Sequence, residues 1–205
     1  MEEVWHLTSG ISNQIKMKGL WWKVSGVLIL VYVMIAGMLW PLKPGITQVE
    51  PRSVKTNQQV TLQVEGYNSF FTQAGNELRA WLKLDDAHFL AAQNIQVTSD
   101  RELEATFQIP EALPSDQKVQ ELTLVLDSPV DGTSLLPSAV FVTQEVVNPQ
   151  LGEQVWQNSQ LDNLHSKSGI TFPFRNILGE TIRNTYFHVA LWLAMVALFI
   201  AALVY

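Results

Sequence analysis

The imidazole of His188 lies just inside an apolar run long enough to span a bilayer, where a titratable group costs free energy unless it has a partner. At about 100° per residue, Asn184, His188 and Trp192 fall on one helical stripe, which Met195 and Phe199 continue. The stripe is polar at its outer end and aromatic or soft below. It suits a flat, apolar, metal-containing ligand, with imidazole on the iron, indole against the ring and arginine near its acidic edge. Spacing alone leaves a plainer reading open, an interfacial histidine bonded to a neighbouring helix or a lipid headgroup.

The remaining candidates have polar surroundings. Asp85 and Asp86 precede His88, a grouping that could ligate a metal or exchange protons. Aspartate at a strand end more often serves its own backbone, so a solvated turn is expected here. His165 sits among polar neighbours as an exposed side chain, and His6 has no assigned role. Ser53, Ser69 and Ser138 lack a GxSxG elbow, and there is no glycine-rich phosphate loop. The absence of cysteine excludes disulfide scaffolding, thiolate metal sites and a CxxCH haem attachment. No catalytic residue is expected, and no enzyme.

The elements that must position His188 are two apolar runs at the chain ends. Val24 to Trp40 carries no charge and, with Trp21, Trp22 and a snorkelling Lys23, reaches the roughly 20 residues a bilayer crossing needs. Tyr186 to Tyr205 forms the second. After the first run, Trp40-Pro41-Leu42-Lys43 lacks a small-x-small cleavage pattern, which favours a retained anchor over a signal peptide. Lys16, Lys18 and Lys23 before that span, against Lys43 after it, place the N-terminus in the cytoplasm.

Between the runs the pattern is all-β. Alternating or β-branched stretches recur at Ile46 to Glu50, Gln59 to Tyr67, Leu78 to Asp85, Ile95 to Ser99, Leu103 to Ile109, Glu121 to Asp127 and Ala139 to Val146. Strands at this spacing predict an immunoglobulin-type sandwich. Val60, Leu62 and Val64 share one face, as do Leu122, Leu124 and Leu126, with Asp127 outward or near an end. Trp81 is the expected core indole. Asn148 to Phe174 is irregular, with one short helix near Glu153 to Gln157, and Phe172 and Phe174 suit a membrane interface.

The expected order is a membrane protein with two transmembrane α-helices flanking an all-β immunoglobulin-like sandwich: a cytoplasmic tail (1–19), a first span (20–40), the sandwich (44–147), a connector (148–178) and an interfacial start with the second span (179–205). Pro44 to Glu180 holds 17 acidic residues against 8 basic ones, which argues against nucleic acid and against docking on anionic lipid.

The block Arg183 to Trp192, RNTYFHVALW, resembles the Arg-x-x-Tyr-x-His-Val-Pro-x-Trp signature of the CcmC/CcsA haem-handling family of cytochrome c biogenesis. The stretches WWKV, PLKPGI, LRAWLKLD, LPSAVFVTQ and FPFRNILGETIRN resemble the Bacteroidetes-type form with an immunoglobulin-like insertion after the first span. The resemblance covers nearly everything after Leu20. It implies that His188 is an axial ligand of haem iron at the outer membrane face, with Trp192 and Tyr186 lining the site and Arg183 near the propionates. It also implies haem as cofactor, with a periplasmic haem chaperone and other cytochrome c maturation subunits of the bacterial inner membrane as partners. Two departures stand out. Ala190 replaces the signature proline, and the tryptophan-rich WWD loop and second axial histidine of the family lie beyond this sequence, which therefore reads as an N-terminal portion.

The expected function is presentation of haem at the periplasmic face for transfer to the chaperone. The alternative is a membrane-tethered immunoglobulin-like module that binds a periplasmic protein partner and uses its helices only as anchors.

Overall fold

The computed structural model describes residues 2–156, 161 and 163–204, and the side chains among these except those of residues 2–19 and Trp22. The expected belt contact of Trp22, the helix end at Gln157 and the span end at Tyr205 lie outside what is described. The chain divides into two compact units, 1–40 with 183–205, and 41–182.

The first unit is a helix pair. Helix α1 runs unbroken over Glu2–Leu39, through the boundary expected at residue 20, and α4 covers Ile182–Val204. Among the described residues one helix, Gly179–Val204, is long and apolar enough to cross a membrane; the apolar part of α1, Lys23–Leu39, is shorter. The two helices meet at Gly37, against which the rings of Tyr186 and Phe187 are packed.

The second unit is built on nine described strands in two sheets. β1 (Gly45–Glu50), β3 (Gln58–Tyr67), β7 (Glu102–Ile109) and β6 (Asn94–Val97) form one, in the order β1-β3-β7-β6. β2 (Ser53–Lys55), β9 (Gly132–Thr143), β8 (Val119–Ser128), β4 (Arg79–Lys83) and β5 (Phe89–Ala91) form the other, in the order β2-β9-β8-β4-β5. All pairings are antiparallel except β2 with β9. Both sheets contribute to one apolar core. Val60, Leu62, Val64, Leu103, Phe107 and Ile109 come from the first, and Ala80, Leu82, Leu122, Leu124, Leu126 and Val140 from the second. The faces read from alternation are therefore the buried ones, because a period of two sends every second side chain to the same side.

Three sequence expectations change. Seven strands become nine, since β2 and β5 have three residues each, too short for alternation to reveal. β9 begins at Gly132 rather than Ala139; Pro137 and the left-handed Ser138 (φ 50°) interrupt its pattern, and the β8–β9 register slips between Leu122 and Leu124. The core indole is Trp156, 2% exposed, whereas Trp81 alternates with the core residues Ala80 and Leu82 and so lies on the opposite face, with Phe89, Val125 and Leu161.

A single turn of helix, α2 (Phe71–Ala74), follows β3. Helix α3 (Pro149–Val155) starts earlier than expected because Asn148 caps it, its Oδ1 accepting from Leu151 N at 3.1 Å, with proline in the first turn. Gly152 rests on the Leu113 backbone so closely that a Cβ would stand 2.2 Å from its carbonyl oxygen. Where the chain enters and leaves this unit the two segments pair: Phe172 N donates to Pro41 O at 2.9 Å and Lys43 N to Phe172 O at 2.7 Å. Phe174 fills the space left by Gly45 and stacks on Tyr67 at 5.5 Å between centroids, so these aromatics pack on protein.

Candidate functional site

Helix α4 carries the residues singled out by sequence, and the structure sorts them by face. Arg183 Nη1 donates to the carbonyls of Gly37, Met38 and Trp40 at 3.0, 3.4 and 2.6 Å, satisfying acceptors that the end of α1 leaves without helical partners. Tyr186 is half-buried at Gly37, with Phe187 edge-on to it at 5.4 Å. At about 100° per residue, His188 and Trp192 lie well around the helix from Arg183 and Tyr186. His188 is exposed, as are Trp192 (59%), Met195 (47%) and Phe199 (63%). The stripe residues are exposed, as is most of α4, while Arg183 and Tyr186 face α1. No hydrogen bond joins His188 to another described residue.

The other two described histidines are more engaged than the sequence indicated. Asp85 Oδ1 accepts from the backbone N–H of Ala87 and of His88 at 2.8 and 2.9 Å, the turn expected of it. The His88 ring, however, is nearly enclosed, with Nδ1 2.8 Å from Asp85 Oδ2 and Nε2 3.0 Å from Glu153 Oε2 of α3. His88 is thus not part of a solvated turn, because α3 folds over it.

Asp127, expected outward or near a strand end, lies at the end of β8 as the second alternative has it, but it is fully buried. Its Oδ2 accepts from Arg79 Nη2 at 2.5 Å and Nε at 3.1 Å and faces His165 Nδ1 at 2.8 Å; its Oδ1 accepts from His165 N and Thr133 Oγ1, each at 2.8 Å. Burial alone would raise its pKa, but the His165 ring and backbone, Arg79 and Thr133 outweigh it and hold the carboxyl at about 2. His165 is exposed, as expected, and its ring and backbone also fasten the connector to Asp127. Its signal was invisible locally, since Asp127 is 38 residues away.

No group of three or more His, Cys, Asp or Glu side chains suited to a metal ion occurs among the described residues. A cleft of about 340 Å³ on the outer face of the four-stranded sheet is lined by Glu50, Glu65, Glu102 and Glu104, with Glu65 directly across from Glu102. Its sign fits the acidic composition of this unit. No known family model and no curated protein matches the chain.

Proposed function

We propose that this chain is a haem-handling membrane component of cytochrome c maturation that presents haem at the periplasmic face for transfer to a haem chaperone. The observation that carries the reading is the stripe of α4 on which His188 and Trp192 share an exposed face in the N-terminal half of an apolar helix. An imidazole at the edge of hydrocarbon needs a partner, and haem iron supplies one that also covers apolar surface. The resemblance of Arg183 to Trp192 to the CcmC/CcsA signature supports the same ligand.

In this reading α1 is a first span despite its short apolar stretch, since Lys23 and the flanking tryptophans extend it toward the headgroups. The N-terminus is cytoplasmic, and the β-unit is periplasmic and immunoglobulin-like. Its strand order fits that assignment: β1-β3-β7-β6 corresponds to the four-stranded sheet of such domains, and β9-β8-β4 to the three central strands of the other. His188 and Trp192 hold haem, while Arg183 and Tyr186 act one step back by fixing α4 against α1. The chain makes and breaks no bonds itself.

The test is haem titration of the full chain in lipid nanodiscs, followed by the Soret band, with cytochrome c levels measured in cells carrying the same variants. His188→Ala is expected to weaken binding at least about tenfold, the loss of roughly 1.4 kcal/mol, and to lower cytochrome c. Unchanged spectra and unchanged cytochrome c would overturn the reading in favour of a tethered β-module whose protein partner follows the sandwich onto an unrelated anchor.

A further inference from the structure

Among the described histidines, His88 is the one whose two ring nitrogens both face carboxylates. Nδ1 lies 2.9 and 2.8 Å from the two oxygens of Asp85, and Nε2 lies 3.0 Å from Glu153 Oε2. A neutral imidazole has one N–H and one lone pair, so it can donate to only one of them. The other contact then sets a lone pair against a carboxylate oxygen. Only the imidazolium satisfies both ends.

The two ends differ in what holds them. Asp85 is three residues from His88 and is anchored by two backbone N–H groups, so the neutral ring keeps this bond. Glu153 belongs to α3, 65 residues on, and its carboxylate is 59% exposed. The Nε2 contact is the one that proton loss would break. The nearby charges Lys83 and Asp86 are paired with each other at 2.5 Å, and no other charged side chain bonds to His88 among the described residues.

We propose that His88 is a proton-operated clasp between the β4–β5 turn and α3, closed when the ring is protonated and open when it is neutral. This inference is independent of the haem reading and concerns the segment by which the chain leaves the sandwich. Burial pushes the His88 pKa down, but the hydrogen bonds to Asp85 and Glu153, then their charges, more than offset it and hold it above 6.5. A raised pKa means that the stabilisation is fully present below 6.5 and disappears as pH rises through the folded-state value. Acid closes the clasp and alkali opens it. Opening is local, because Trp156 in the core and Gly152 on the Leu113 backbone still seat α3. His165 provides a contrast, since the Nδ1–H tautomer of a neutral ring is enough to hold Asp127.

The experiment uses the full chain in nanodiscs, following the His88 ring by NMR against pH, together with amide exchange of Leu151 to Val155 corrected for intrinsic rates. Glu153→Ala is expected to lower the proton affinity of His88 by roughly threefold to tenfold, as loss of a part-exposed charge partner should. Protection of α3 should fall several-fold from about pH 6 to about pH 9 in the parent and stay flat in His88→Gln. Equal His88 midpoints in parent and Glu153→Ala, or α3 protection that ignores the titration, would overturn the clasp. Should His88→Gln not fold, the Glu153→Ala midpoint decides alone.

Discussion

A Cβ built on Gly37 of α1 stands 2.4 Å from Cζ of Phe187 on α4, so the two helices meet where residue 37 has no side chain. A glycine at a helix contact lets the neighbouring side chains approach the backbone closely. Arg183 closes the same contact from above, on the last carbonyls of α1. Gly37→Leu is therefore expected to drive the helices apart, while Gly26→Leu, at a glycine with nothing within 4 Å, should leave them in place. Because the chain has no cysteine, spin labels on cysteines introduced at Val27 and Leu198 report the separation cleanly. A distance distribution insensitive to Gly37→Leu would show that the contact does not hold the pair.

How far the sequence could be read follows from how local each signal is. Alternation located the core faces of β3, β7 and β8, because a strand with one buried side writes its period into consecutive residues. Helical spacing likewise located the open stripe of α4. What it could not show was that Arg183 and Tyr186 point elsewhere, since that depends on where Gly37 lies, 146 residues earlier. The burial of Asp127 and the enclosure of His88 have the same cause: their partners His165, in the connector, and Glu153, in α3, lie 38 and 65 residues on. Gln144 is similar. Fully buried, its side chain accepts from Leu113 N at 2.8 Å and donates to the carbonyls of Ser115 and Gln117, a loop anchor that looks like any strand-end polar residue.

Asp127 makes the acid stability of the sandwich predictable. Its folded pKa of about 2 lies below its ordinary 3.8, so the stabilisation is present above about pH 4 and is lost as pH falls toward 2. Asp127→Ala removes the buried acceptor shared by the partly exposed Arg79 and His165, and losing hydrogen bonds to such a charged group costs on the order of 2 kcal/mol. Urea unfolding followed by far-ultraviolet circular dichroism should show this loss at neutral pH. The gap between parent and variant should narrow below about pH 3, where the parent carboxylate becomes protonated. A gap that stays constant down to pH 2 would mean that packing, not charge, sets the role of Asp127.

Trp156 and Trp81 are both nearly buried but belong to different faces, and their variants should behave differently. Trp156 is buried in the core cluster to which both sheets contribute, so Trp156→Ala opens a cavity and is expected to cost about 3–5 kcal/mol. Its indole Nε1 is buried without a hydrogen-bond partner among the described residues, so replacing it loses no bond to any of them. Trp156→Phe should accordingly cost far less than Trp156→Ala, about 1–2 kcal/mol for the smaller ring. Trp81 packs on Phe89, Val125 and Leu161, with the Arg79 guanidinium 5.3 Å from its ring centroid. Its truncation removes one side of that outer cluster and leaves the inter-sheet core intact, so Trp81→Ala should unfold at a higher urea midpoint than Trp156→Ala. The reverse order of midpoints would place the stabilising indole on β4 and contradict the assignment of Trp156 to the core.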